Sequence, residues 1–493
     1  MEALDLLIKG FEIALTPLNL LLVVLGGFFG TIIGMLPGIG PVNAIAILFP
    51  IVYVLGLPPE SALILFAGIF YGSQYGNSIS SILLNVPGTS SSAVTAIDGN
   101  ALAKKGKGGK ALAISAIASF IGGTLSIFLL IFFAPALAEI AIDFGPAEYS
   151  VLMVFAFLAL ATFGGTGIAK SMISAFLGLV IASIGIDPLT GTTRLTFENQ
   201  HLYDGIDFIV VVIGFFAISE LLEMLYSSDV SKKTTQKINK VMISLKEFKN
   251  SIYSIFRSCI SGFLVGVLPG AGATIASFLA YSSEKNILKV NKFGQGDLRG
   301  VAAPESANNA SAVGSFIPLL ILGVPGSETT AVMLGGLTSL GVTPGPTLLE
   351  NNAEIFWGLA ASMFIGNLFL IFLNLPLVRV FVTILHTPKW ILMPLIALLS
   401  VIGVYTTSGS SFDIVLMIVF GVIGWIMRRT GFPLAPLILG VVLGGLIETN
   451  FRRALIYSEG QFDIFFSSNI TQILWLISIG VIVLPWLKKK FFS

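Results

Sequence analysis

"GTIIGMLPGIGP", residues 30–41, lies inside a run from Ile13 to Pro59 that contains no Asp, Glu, Lys, Arg or His. Proline removes a backbone donor and ends a helix, while glycine lets the chain turn sharply. In a bilayer each unsatisfied backbone group costs several kcal/mol, so a helix breaks there only where protein or an aqueous cavity takes up the freed groups. The break therefore points inward. It also has a twin: "GFLVGVLPGAGA", residues 262–273, shares G-x-x-x-G-x-L-P-G-x-G at an offset of 232. A second pair, "GNSISSILLNVPGTSSSAV" from Gly76 and "GSFIPLLILGVPGSETTAV" from Gly314, lines up at an offset of 238. A weaker third match joins "LGLVIASIGID" from Leu177 to "LGVVLGGLIET" from Leu439. Ordered matches at nearly one offset read as a duplicated chain, a construction that recurs in transporters.

Composition places these motifs in a membrane. The 493 residues are 55% apolar and only 11% charged, with 53 glycines, far from the usual soluble balance. A helix needs about 20 apolar residues to span the hydrocarbon core. Charge-free runs on that scale predict an all-α polytopic membrane protein with about 10 to 14 membrane segments. The first hydrophobic segment reads as retained, because its N-terminal flank lacks the positive region and small-residue cleavage pattern of a signal peptide. A formal net charge of +1 offers no basic surface for nucleic acid.

The one long polar stretch, residues 227–252, carries Lys232, Lys233, Lys237, Lys240, Lys246 and Lys249. By the positive-inside tendency it faces the cytoplasm. It divides the chain into a first repeat (1–226), a basic linker (227–252) and a second repeat with a C-terminal helix (253–493). The basic loops swap sides between the halves. In the first, the loop after VPG holds Lys104, Lys105, Lys107 and Lys110; in the second, the loop after LPG holds Lys285, Lys289, Lys292 and Arg299. Two repeats inserted upside down relative to each other give that pattern. Lys488, Lys489 and Lys490 disagree with strict inversion, since they share the linker's charge yet would lie on the other side.

Four breaks, in Pro-Gly-broken helices or re-entrant hairpins, then define a candidate substrate site: Pro37, Gly38, Gly40 and Pro41; Asn85, Pro87 and Gly88; Pro269, Gly270, Gly272 and Ala273; Pro325 and Gly326. Each is followed by small hydroxyl or amide side chains, namely Asn43; Thr89 and Ser90; Thr274; and Ser327, Thr329 and Thr330. Free helix N-termini attract anions and C-termini cations. The lining reads as neutral and donor-rich with no buried Arg, which suits a carboxylate that must also be released. The plainer alternatives are kinks without ligand contact and, for Gly30 with Gly34 and Gly262 with Gly266, helix packing alone. Asp98, Glu305 and Glu328 border apolar runs, where an ionisable group is costly enough to suggest cation or proton coupling. Asn308 and Asn309 follow Glu305 by about one helical turn and would add side-chain oxygens. The alternative for Glu305 is an interfacial helix start.

What is absent also bears on function. "GKGGK" from Gly106 fails the phosphate-loop pattern, no H-E-x-x-H is present, and Cys259 is the single cysteine. The three acids lack the close spacing of a catalytic pair. An ion or solute channel remains the main alternative to a transporter.

At these motifs the chain resembles the large membrane subunit of the tripartite tricarboxylate transporter family, the TctA type. The resemblance is carried by residues 30–50, "YGNSISSILLNVPG" (75–88), "GIDPLTGTTRLTF" (185–197), "LPGAGATIASFLAY" (268–281), "RGVAAPESANNA" (299–310), "VPGSETTAV" (324–332) and "GFPLAPLILG" (431–440). Asn77 stands where the family pattern leads one to expect glycine. The resemblance implies a secondary importer in the bacterial inner membrane, driven by sodium or protons and using no other cofactor. It would work with a small transmembrane subunit and a periplasmic solute-binding protein that captures a carboxylate. The segments from Pro37 to Pro41, Asn85 to Ser90, Pro269 to Ala273 and Val324 to Thr330 would form the translocation site.

Overall fold

The computed structural model describes the chain apart from residues 1, 37–38, 164–166, 188, 227–239, 289–291, 385–388 and 493. Pro37, Gly38, Lys232, Lys233, Lys237 and Lys289 thus lie outside the described residues. A short α1 (Glu2–Ala14) leads into α2 (Pro17–Met35), which stops at the LPG motif; α3 (Gly40–Val54) and α4 (Pro59–Leu84) follow. A tight turn at Ser90–Ser92 opens α5 (Ala93–Leu102), and a wide turn at Ala103–Lys107 joins it to α6 (Gly108–Ile142). Then come α7 (Pro146–Phe163), α8 (Ile168–Ala182), a hairpin of β1 (Gly185–Ile186) with β2 (Thr193–Arg194), α9 (Phe208–Val212) and α10 (Ser219–Tyr226).

The second half begins with α11 (Leu245–Val267), α12 (Gly272–Leu288) and α13 (Arg299–Gly314). It continues through α14 (Glu328–Ser339), α15 (Leu348–Asn351), α16 (Ala353–Asn374), α17 (Val378–Ile384), α18 (Lys389–Ser408), α19 (Ser411–Arg429), α20 (Leu434–Tyr457), α21 (Ile464–Ser467) and α22 (Asn469–Phe492). Among the described residues seven helical stretches are long and apolar enough to cross a membrane, and four shorter apolar helices accompany them. The protein is an all-α polytopic membrane protein, as its composition predicts.

The Pro-Gly breaks create hairpins. Ser61 at the start of α4 donates to Asn19 at the start of α2, 2.6 Å away, so α3 must carry the chain back between them. In the second half Glu284 near the end of α12 accepts from Ser254 and Arg257 early in α11, which makes α11 and α12 a hairpin as well. The repeated glycines set how closely the helices pack. A Cβ at Gly30 would lie 2.4 Å from the Ile69 carbonyl oxygen, and one at Gly34 2.3 Å from that of Ser73. Their counterparts Gly262 and Gly266 would meet the carbonyl oxygens of Ala307 and Ser311 at 2.4 and 2.3 Å. Each pair is displaced by the two sequence offsets, 232 and 238. The G-x-x-x-G glycines are thus packing residues, because only a missing side chain allows backbones so near.

The two hairpins point in opposite directions. Helix α2 runs with α16, as Val23 meets Gly366 and Gly27 meets Leu370. Helix α16 runs against α6: Asn367 donates to the Phe120 carbonyl and Thr124, whereas Phe364 meets Phe128 edge to face. Helix α11 runs with α6, through Lys110 with Glu247 and Gly122 with Cys259. It follows that α2 and α11 are antiparallel.

Three polar clasps secure the ends. The fully buried Asp98 of α5 accepts from the Tyr281 hydroxyl at 2.8 Å and from the backbone N–H groups of Gly294, Gly296 and Asp297 at 2.7–2.9 Å, tying the first half to the loop before α13. Arg452 and Glu448 of α20 hold the β-hairpin through Asp187 and Arg194, at 2.6–2.9 Å. Arg452, by hydrogen bonding first of all, keeps the Asp187 carboxyl well below the usual carboxylate range. At the third, α11 begins at Leu245, inside the stretch read as linker, because Ser244 and Glu247 form a reciprocal cap. The Lys110 ammonium, 2.6 Å away, and then the Ser244 N–H push the Glu247 carboxyl down to about 2.

Two outcomes follow. Asp98→Asn leaves a neutral amide facing three N–H donors, and we expect it to lower stability by about 1–3 kcal/mol, measured by thermal unfolding in detergent. The Glu247 contribution is complete above the unfolded carboxyl value of about 4.3 and is lost as pH falls toward its folded value. Wild type should therefore lose more thermal stability than Glu247→Gln between about pH 5 and pH 3; equal losses would refute the assignment.

Candidate binding site

One cavity of about 670 Å³ gathers all four breaks. Its walls include Ile39 to Asn43, Pro87 to Ser91, Gly270 to Ile275 and Ser327 to Thr329. That volume falls in the range of small-molecule sites, roughly 300–1,000 Å³. Of the residues singled out in the sequence it brings together Gly40, Pro41, Asn43, Pro87, Gly88, Thr89, Ser90, Gly270, Gly272, Ala273, Thr274, Ser327, Glu328 and Thr329. It does not reach Asn85, Pro269, Pro325, Gly326 or Thr330, which act on the backbone around it. Asn85 ends α4 in a left-handed conformation, φ 56°, and Gly323 does the same at φ 64° before the second VPG. Thr330 completes a reciprocal cap with Ser327 at the start of α14.

Local geometry explains the residue types. Gly270 has φ +78°, and a Cβ there would lie 2.6 Å from the backbone of Leu160, so no side chain fits. Its N–H donates to the Gly326 carbonyl at 3.1 Å, which joins the two breaks of the second half. Across the halves the Ser90 and Thr274 hydroxyls meet at 2.7 Å. Asn77 donates to Thr89 at 2.7 Å and Ser91 at 3.2 Å, and Gln74 accepts from Ser91 at 3.2 Å. The position where glycine was expected thus carries an amide that braces the cavity's hydroxyls.

Electrostatics follow from chain direction. Helices α3, α12 and α14, and the helical stretch from Ser90 through α5, all begin at the cavity. Four N-termini turn the positive end of their dipoles to one space, and at α14 the Ser327–Thr330 cap already takes part of the N–H set. That arrangement favours an anion.

The sequence reading of a lining without arginine is corrected by α19. Arg428 lines the cavity, about 30% exposed, and its guanidinium pairs with the buried Glu220 of α10. Its neighbour Arg429 bonds Glu223 and lies 3.8 Å over the Tyr226 ring. The available signal was an arginine pair ending an apolar helix. Phe70, Gln74, Leu160, Phe216, Pro433, Ala435 and Pro436 complete the wall; the last three fall in the "GFPLAPLILG" motif.

The remaining acids separate. Glu328 opens onto the cavity from the first turn of α14. Both oxygens of Asp98 are occupied by the clasp described above, which leaves little capacity for a cation. Glu305 is fully buried in α13, in the second turn after the Arg299 start and so beyond the first turn that the plainer reading required. It accepts from Thr95 at 2.5 Å, Ser115 at 3.2 Å and Ser119 at 3.4 Å, while Asn309 donates to its carbonyl and to Asn308. Among the described residues no group of three His, Cys, Asp or Glu side chains could hold a metal ion.

Comparison with known proteins agrees with this architecture. An uncharacterized 52.8 kDa protein of Agrobacterium vitis, named for the 3′ region of ttuC′ in TAR-I, is 41% identical over 494 residues, covering 99% of this chain and 98% of that protein. A second A. vitis protein, from the 3′ region of ttuC′ in TAR-II, is 44% identical over 233 residues, 46% of this chain and 96% of its own length. A Methanocaldococcus jannaschii protein is 25% identical over 283 residues, 57% of this chain and 66% of its own. No solved structure matches. Residues 20–439 match the description "Tripartite tricarboxylate transporter TctA family", and the chain belongs to that family of transporters.

Proposed function

We propose that this protein is the large transmembrane subunit of a binding-protein-dependent secondary transporter that imports di- or tricarboxylates by cation-coupled alternating access. In this reading it sits in a bacterial inner membrane with a small transmembrane subunit and a periplasmic binding protein. The observation that carries the proposal is the convergence of four helix N-termini and their hydroxyls on one cavity. Backbone N–H groups and hydroxyls hold a carboxylate without a fully buried counter-charge, so release stays inexpensive. Equivalent glycines packed on equivalent neighbours, in hairpins that run in opposite directions, support inverted-topology repeats. Two such halves around one site are a basis for alternating access.

The coupling ion has a candidate seat at Glu305. Taking a carboxylate out of water into a protein interior costs several kcal/mol. Three hydroxyl donors return only about 1.5–3 kcal/mol each. Hydroxyls offset that cost without neutralising the charge, so the site has room in its chemistry for a proton or a cation, with Asn308 and Asn309 adjacent as further oxygen donors.

Uptake of labelled citrate and succinate into vesicles with the partner subunits, under imposed sodium or proton gradients, tests the reading. Uptake that requires one gradient and the binding protein is expected; flux indifferent to both would favour a channel. Thr274→Val should weaken substrate affinity about 5–10-fold, the loss of one hydrogen bond, and Glu305→Gln should abolish gradient-driven accumulation while substrate binding persists.

A further inference from the structure

The cavity has two unlike walls. Breaks at Gly40, Gly88, Gly270 and Ser327 contribute helix ends and hydroxyls but no fixed cation. Helix α19 adds Arg428, a planar guanidinium with five N–H donors, to the same lining. Its described hydrogen bond goes from one terminal nitrogen to Glu220. Glu220 is only 7% exposed and does not line the cavity, whereas Arg428 does, so the guanidinium is held by a group outside the cavity.

A monocarboxylate needs only one of these walls. Glu328, on the same cavity, adds a negative charge that opposes a second carboxylate unless a cation faces it. Arginine binds a carboxylate through two parallel N–H bonds, a geometry that lysine or a hydroxyl does not reproduce.

We propose that Arg428 takes the second carboxylate of a di- or tricarboxylate whose first lies at the helix N-termini, and so separates these substrates from monocarboxylates. The inference rests on the carboxylate reading above and adds to it the residue that sets substrate class. Glu220 is then a positioning residue that keeps the guanidinium aimed at the cavity.

Binding of labelled succinate and butyrate to the full-length chain, purified with its co-expressed subunits, tests it on wild type, Arg428→Gln and the double variant Glu220→Gln/Arg428→Gln. Wild type should prefer succinate. Arg428→Gln should weaken succinate about thirtyfold, within the loss expected for a charge-assisted contact, and leave butyrate nearly unchanged, so that the preference collapses. The double variant removes the unpaired buried Glu220 charge and should show the same collapse, which excludes a folding defect as its cause. Equal weakening of both ligands, or an unchanged preference, overturns the role of Arg428. Wild-type protein that binds neither ligand overturns the carboxylate reading itself, and this inference with it.

Discussion

A broken helix in a membrane leaves backbone N–H and C=O groups that lipid cannot satisfy, and that constraint organises the whole molecule. Four breaks are stable together because they face one another. Gly270 donates to Gly326, the Ser90 hydroxyl meets Thr274, and the remaining helix ends open onto a shared cavity. The same groups that would be a liability against lipid line a cavity instead.

Bringing the breaks together requires unusually close helix packing. Gly30, Gly34, Gly262 and Gly266 place backbones where even a methyl group would collide. Dispersion contacts along such glycine seams, rather than the hydrophobic effect, drive association inside a bilayer. The outer clasps at Glu247 and Asp187 lie at a helix start and a loop, where charge is tolerated, and Asp98, inside α5, reaches across to a loop of the other half; together they fix how the hairpins sit.

Among the described residues charge in the interior is sparse, and three cases show how it is answered. Arg428 has Glu220, Glu284 has Arg257, and Glu305 has a shell of hydroxyls. The third differs in kind, since hydroxyls lower the cost of a buried carboxylate without neutralising it. Asp98 shares that character, held by the Tyr281 hydroxyl and three backbone N–H groups.

The sequence by itself determined the membrane class and the positions of the four breaks, and its repeat offsets led to the reading of a duplicated chain, because charge-free length, Pro-Gly chemistry and internal matches are local properties of the chain. It also pointed to Glu305, a lone acid at the edge of an apolar run. Only the tertiary structure decided which residues share the cavity, since that depends on contacts between segments some 200 residues apart. It gave Asp98 its partners in a loop of the other half, and it brought Arg428 from a distant helix onto the cavity wall. No local pattern encodes such meetings, for they arise when hairpins running in opposite directions pack glycine against backbone.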